Sequence, residues 1–135
     1  MSVLFDLPAA TAPEAAALAA DTAIRVSSIG KTFARTGAPA LQVLDDINFT
    51  VRRGRVTAIL GASGCGKSTL LNMIAGLLAA DQGDIYLDGI RASDFTDWKR
   101  VGYLFQDDRL LPWRTALENV EFGLEAERVG RAERR

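Results

Sequence analysis

The spacing of apolar positions changes along the chain, and the changes separate strand-like from helix-like segments. Ile47, Phe49 and Val51 alternate with polar residues, a period of two that predicts a half-buried strand. Residues 56–60 form a short, mainly apolar and partly β-branched run, which is typical of a buried parallel strand. Beyond them, apolar residues recur at the spacing of one helix face. These helix-face residues are Leu70, Met73, Ile74, Leu77 and Leu78.

Shorter patterns predict further elements. Residues 24–26 alternate and open a first strand, and residues 37–39 form a turn that contains Gly and Pro. Residues 84–87 predict a strand, which Asp88-Gly89 closes as a hairpin turn. Another strand is predicted over residues 100–105. Together these segments predict a small antiparallel sheet beside a parallel core.

A final helix is predicted to start near Thr115 and to reach Gly123. Glu118 follows Thr115 at the spacing of a capping box, in which each side chain accepts from the other residue's backbone N–H. The arginine-rich residues 128–135 fit a solvated helix face.

A phosphate-binding loop of the form G-x-x-x-x-G-K-[ST] stands between the predicted strand and helix. Its glycines let consecutive backbone N–H groups turn inward toward phosphate oxygens. Lys67 adds a cation for the β- and γ-phosphates, and Ser68 adds a hydroxyl for Mg²⁺. The strand before and the helix after disfavour the alternative, a Gly-rich turn without a ligand. The residues predicted to bind the nucleotide are Gly61, Ser63, Gly64, Cys65, Gly66, Lys67, Ser68 and Thr69.

Composition narrows the chemistry. The 135 residues carry a net charge of −1, which gives no broad attraction to nucleic acid. Because no histidine occurs, histidine general bases, histidine metal sites and serine triads are excluded. Cys65 is the only cysteine, so an internal disulfide is impossible and a reducing compartment fits. Alkylation of Cys65 is expected to obstruct phosphate binding, although the residue itself needs no chemical role.

The N-terminal residues 1–22 are predicted to be a disordered or loosely helical leader. They are rich in alanine, lack a basic start and contain Asp6 and Glu14, which argues against a signal peptide. The folded part is predicted to span residues 23–135. No run approaches the ~18 apolar residues that a membrane span needs.

Three stretches carry a family resemblance: the phosphate loop with residues 70–77, the segment 105–115, and Glu118-Asn119-Val120. From Ile24 onward the chain resembles the first half of an ABC transporter ATP-binding subunit. Its Leu-Leu-Pro-Trp segment, residues 110–113, resembles the nitrate, sulfonate and taurine importers in particular. The resemblance implies an α/β fold, with an incomplete P-loop NTPase (RecA-like) core and an N-terminal antiparallel β subdomain.

The resemblance also implies roles for individual residues. Gln106 would be the catalytic Q-loop glutamine and a ligand or neighbour of Mg²⁺, or else a plain polar residue at a strand end. Phe33 would stack on adenine, or else be an ordinary core aromatic. Trp113 would face a membrane partner or pack locally. Arg55 replaces an acidic residue that is usual in the family, without evident consequence for the nucleotide.

The implied cofactors are ATP and Mg²⁺. The implied partners are a transmembrane permease subunit and a second ATP-binding subunit in a head-to-tail dimer. The resemblance places such a protein in the cytoplasm, peripheral on the inner face of the inner membrane. The subunit would couple ATP binding and hydrolysis to solute uptake.

Several family motifs are absent from the sequence: the signature motif, the Walker B strand, its following glutamate and the switch histidine. Asp88 is the one tempting substitute for a Walker B aspartate, but its hairpin context indicates a turn residue. Phosphoryl transfer depends on positioning and charge stabilisation, so we expect weak nucleotide binding and little turnover from this chain alone. A truncated fragment without transport activity is the alternative, and a small phosphate-loop kinase is a more remote one.

Overall fold

The computed structural model describes residues 21–106 and 110–134. The chain forms two compact units that divide between Val101 and Gly102, and each is described by itself. Of the predicted leader, residues 1–22, residues 1–20 lie outside the described residues, so that part stays a prediction, whereas its end at residue 22 is wrong. The first strand begins at Thr22.

The first unit is built on an antiparallel sheet of four strands in the order β2-β1-β3-β4. Strand β1 is Thr22–Arg35, β2 is Ala38–Arg52, β3 is Gln82–Leu87 and β4 is Ile90–Arg91. The predicted antiparallel sheet is therefore confirmed. Strands β1 and β2 run longer than their sequence patterns indicate, because each supplies the other with ladder partners out to Arg35 and Ala38.

The hairpin predicted at Asp88-Gly89 is confirmed. Both residues have positive φ, 51° and 80°, as a two-residue turn between twisted strands requires. The Asp88 carboxylate lies 2.7 Å from Arg53 Nη2 and 2.5 Å from Arg100 Nη2. Asp88 is thus a turn residue that joins two arginines.

One helix of the first unit, α1 (Lys67–Ile74), packs on the sheet. Leu70 and Met73 face the core, and Phe95 meets Trp98 edge-on at a centroid distance of 5.1 Å. The buried apolar side chains form one cluster, which positions the start of α1 against the sheet. Its members are Val26, Ile29, Leu44, Leu70, Met73, Ile85, Leu87 and Phe95.

Helix α1 is shorter than its apolar pattern indicates, so the prediction that Leu77 and Leu78 continue it is wrong. Gly76 has a φ of 72°, and its N–H donates to the Met73 carbonyl at 3.1 Å. The Leu77 N–H donates to the Asn72 carbonyl at 2.8 Å, which completes a Schellman C-cap. A β-carbon on Gly76 would lie 2.3 Å from the Trp98 ring, so the indole covers the end of the helix.

The strand predicted over residues 56–60 is also wrong. The segment pairs with no strand of the described chain, and the exposed fractions of Val56 and Leu60 reach 101% and 90%. Only Ile59 packs against the core cluster. A parallel strand needs ladder partners, and the residues described do not supply one here.

The strand predicted over residues 100–105 is likewise not formed. Trp98–Arg100 is a short 3₁₀ helix, and the residues after it follow an irregular path. Leu104 is 97% exposed.

The second unit contains helix α2, Ala116–Ala126, and its predicted capping box is confirmed. The Glu118 N–H donates to Thr115 Oγ1 at 3.3 Å, and the Thr115 N–H donates to Glu118 Oε2 at 2.8 Å. The Asn119 side chain contacts the loop before the helix, where its Oδ1 accepts a hydrogen bond from the Leu111 N–H at 2.7 Å. Trp113 is 77% exposed, so it does not pack locally within this unit. Within the described ranges, no helix has the length and apolar character to cross a bilayer.

Candidate phosphate-binding site

The N-terminus of α1 is open toward the phosphate loop. Gly66 is its N-cap residue, with a φ of 95° and no side-chain cap, and the first helical turn contains no acidic residue. The first N–H groups of a helix have no intrahelical acceptor, and the helix dipole favours negative charge beside them. The loop therefore leads into a helix end of the kind that can receive an anion.

Strand β2 forms the floor of the loop. A β-carbon on Gly66 would lie 2.8 Å from Cδ2 of Leu44 and 3.1 Å from the carbonyl oxygen of Val43. The close approach leaves no room for a side chain, and the positive φ independently favours glycine. The sheet thus holds the loop at the position where it turns into the helix.

Lys67 closes the loop from the helix side. Its Nζ donates to the carbonyl oxygens of Gly61 at 2.9 Å and Ala62 at 2.7 Å, and lies 3.6 Å from Cys65 Sγ. The ammonium group therefore lies at the loop, where its acceptors are two backbone carbonyls and a thiol. Cys65 is exposed, which leaves its thiol accessible to an alkylating reagent.

The residues present fit a Mg²⁺ ion that is held jointly with a nucleotide. Ser68, the second residue of α1, is exposed and offers a hydroxyl, a hard oxygen ligand that Mg²⁺ accepts. The described part of the chain contains no cluster of three or more His, Cys, Asp or Glu residues that could enclose a metal. Mg²⁺ commonly keeps waters and phosphate oxygens as ligands, so Ser68 would supply one protein oxygen among them.

Phe33 lies near the end of β1 and pairs with Leu41 of β2. Its exposed fraction is 37%, so the ring is not fully buried, and its stacking on adenine stays a prediction. Two residues earlier, Lys31 pairs with Leu44, the residue that contacts Gly66. The sheet therefore carries the Phe33 ring and the floor of the phosphate loop on two adjacent strands.

Gln106 is exposed and belongs to the second unit, whereas the phosphate loop belongs to the first. Residues 107–109, part of the segment that carries the family resemblance, lie outside the described residues. The roles expected for Gln106 in catalysis and in Mg²⁺ binding stay predictions.

Sequence reasoning missed Asp81. Its carboxylate accepts from Lys31 Nζ at 2.6 Å and from the Thr32 N–H at 2.8 Å. The Lys31 hydrogen bond, followed by that of Thr32, holds the Asp81 pKa below its ordinary value. No local signal could have found this contact, because Asp81 stands in an unremarkable polar loop and Lys31 is 50 residues away.

The family described as ABC transporter matches residues 44–135. Among solved structures, the ATP-binding cassette MJ0796, in a dimeric post-hydrolysis state bound to ADP and Pi, is 33% identical with a TM-score of 0.73. A second dimeric structure of MJ0796, described as a bacterial ABC transporter cassette, is 34% identical with a TM-score of 0.72. Both matches cover 82% of this chain and 52% of the other, so the chain spans about half the length of these structures.

The extent of the family match agrees with the geometry, since it includes the floor of the loop at Leu44, the loop itself and both helices. We conclude that this chain belongs to the ABC transporter family of ATP-binding cassettes, with a P-loop NTPase fold.

Proposed function

We propose that the chain binds ATP with Mg²⁺ at residues 61–69 and serves as the nucleotide-binding part of an ABC importer ATPase. The observation that carries the proposal is the open N-terminus of α1. There, Gly66 adopts the left-handed conformation and Lys67 stands at the loop. A helix N-terminus and an ammonium group thus lie at the loop where a triphosphate would bind.

In this proposal Lys67 exchanges partners when the nucleotide binds. Its ammonium group now donates to the neutral carbonyl oxygens of Gly61 and Ala62. Phosphate oxygens are anionic acceptors, and charge-assisted hydrogen bonds are stronger than those to neutral carbonyls. Ser68 would hold Mg²⁺, which neutralises phosphate charge when bound. Phe33 would stack on the adenine.

Gln106 is proposed to orient the attacking water, as in the family it resembles. The chain on its own is proposed to hydrolyse ATP poorly, because phosphoryl transfer depends on precise positioning. One observation supports this: residues 56–60, which lead into the loop, lack a strand partner among the described residues.

The proposed partners are a membrane permease and a second ATP-binding subunit, with the protein on the cytoplasmic face of the membrane. The two MJ0796 structures are dimers, which supports the second subunit. Exposed apolar side chains in the second unit, including Trp113 at 77% and Val120 at 80%, support a protein partner there. Uptake rather than export rests on the Leu-Leu-Pro-Trp segment.

Titration of the full chain with ATP and Mg²⁺, followed by calorimetry, tests the proposal. Lys67→Ala removes charge-assisted hydrogen bonds, and we expect it to weaken binding by about 10- to 100-fold. Lys99→Ala is the matched control, since Lys99 is exposed in the 3₁₀ helix outside the loop. Equal affinity of the Lys67→Ala and Lys99→Ala variants for ATP would contradict the proposed site.

A further inference from the structure

Asp81 holds the segment of β1 that leads to Phe33. Its N–H donates to the Gly30 carbonyl at 3.1 Å, and its carboxylate accepts from Lys31 Nζ and the Thr32 N–H at 2.6 and 2.8 Å. One residue thus contacts three consecutive residues of β1, and Phe33 is the next in the chain. Asp81 itself lies directly before β3, on the chain that returns from α1.

The strand ladder alone does not fix this part of β1. Pairing between β1 and β3 ends at Gly30 and Gln82, so beyond Gly30 only β2 runs alongside. The pairing with β2 is itself irregular there, with register shifts on both sides of Lys31. Beyond the last pair with β3, the Asp81 carboxylate accepts a hydrogen bond from the Thr32 N–H. It thus replaces the ladder partner that β3 no longer supplies.

Lys31 links the carboxylate to the aromatic ring. Its Nζ lies 5.5 Å from the centroid of the Phe33 ring, within the range of a cation–π contact, and its side chain is only 12% exposed. The ammonium group lies over the ring, and the Phe33 side chain is 37% exposed. Asp81 therefore fixes both the backbone before Phe33 and the cation that backs its ring.

Asp81 has a side-chain exposure of 42%, and an exposed ion pair of this kind contributes little to global stability. Its hydrogen bonds instead orient one short segment of β1, residues 30–32. We propose that Asp81 is a positioning residue that orients Phe33 for stacking on the base of the bound nucleotide. This inference rests on the proposed ATP site and assigns Asp81 to recognition of the base, separate from recognition of the phosphates.

The test compares ATP with inorganic tripolyphosphate, which carries the phosphates but no base, each titrated with Mg²⁺ into the full chain. Base stacking on an aromatic ring is sensitive to alanine substitution, so we expect Asp81→Ala to weaken ATP binding by about five- to tenfold. Tripolyphosphate affinity should stay unchanged. Asp84→Ala is the matched control: it removes a carboxylate that pairs with Arg91 at 2.6 Å in the same sheet.

A double-mutant cycle shows whether Asp81 acts through Phe33. On the Phe33→Ala background, Asp81→Ala should weaken ATP binding no further. Asp81→Asn retains an acceptor for the Thr32 N–H but loses the charge opposite Lys31. We expect an intermediate loss of ATP affinity from it, and it provides a second, milder variant of nearly the same shape.

Three results would overturn the inference. Equal weakening of ATP and tripolyphosphate by Asp81→Ala would show a general structural effect, and the same ATP loss with and without Phe33 would place the action elsewhere. Undiminished ATP affinity in both Asp81 variants would show that the residue orients nothing. If the proposed function itself is wrong, the results differ from all three. Lys67→Ala then leaves the affinities for ATP and for tripolyphosphate unchanged.

Discussion

Gly66 and Leu44 are in such close contact that a β-carbon added to Gly66 would lie 2.8 Å from Cδ2 of Leu44. The contact joins the phosphate loop to strand β2, which also pairs with the segment that carries Phe33. Because Leu44 is buried in the core, it cannot move aside without disturbing its neighbours. The position of the loop is thus determined by the packing of the sheet.

Gly66→Ala should therefore damage both stability and ligand binding. The substitution adds a steric clash to a φ of 95°, and we expect a loss of about 1–3 kcal/mol in unfolding free energy together with weaker ATP binding. Gly123→Ala is the matched control, because nothing lies within 4 Å of its added β-carbon and it stands inside helix α2. It should stabilise the chain by up to about 1 kcal/mol. Denaturant unfolding measures both, and similar changes in the two variants would refute the packing argument.

Several elements that the sequence predicted correctly are fixed by local chemistry. The Asp88-Gly89 turn follows from the backbone freedom of its residues, and the capping box follows from Thr115 and Glu118 alone. The phosphate loop is likewise a local motif, and it leads into a helix as predicted. Each of these features needs no information from distant parts of the chain.

The wrong or missing predictions concern segments whose structure depends on contacts between distant parts of the chain. Residues 56–60 have the composition of a buried strand, but a strand also needs partners, and composition does not supply them. Helix α1 stops at Ile74 because Gly76 and Trp98 close its end, although the apolar spacing continues. Asp81 was missed for the same reason, since Lys31 reaches it only through the folded sheet.

The loss of thermal stability at low pH should depend on carboxylates that accept hydrogen bonds in the folded chain. Hydrogen bonds lower the pKa of five described carboxyl groups from ordinary values of 3.8 for aspartate and 4.5 for glutamate. A group whose pKa is lowered on folding stabilises the fold above its unfolded pKa and ceases to do so as the pH falls through its folded pKa. The contribution of these groups to Tm should be constant between about pH 8 and pH 5 and should decrease below about pH 4. The five groups are Asp46, Asp81, Asp84, Glu118 and Glu125.

Asp84→Asn isolates one of these contributions. The hydrogen bonds from Arg91, at 2.7 Å to each carboxylate oxygen, are the main cause of the lowered Asp84 pKa. The variant should therefore melt at a lower temperature than the unaltered chain at pH 7, and the two should converge in strong acid. Thermal scans across the pH range measure this. A difference in Tm that persists unchanged into strong acid would rule out the ionised Asp84 carboxylate as its source.

Residues 56–60 provide a direct test of the structure, because they lead into the phosphate loop without ladder hydrogen bonds to the described strands. Hydrogen exchange followed by mass spectrometry should show rapid exchange of their amides, whereas the amides of β1 between its two neighbours stay protected. Because Val56 and Leu60 are exposed, a second copy of the chain can add to this segment as a strand. The measurement should therefore be repeated at several protein concentrations. Protection that rises with concentration would identify pairing between copies. Protection equal to that of β1 at every concentration would contradict the irregular path of this segment.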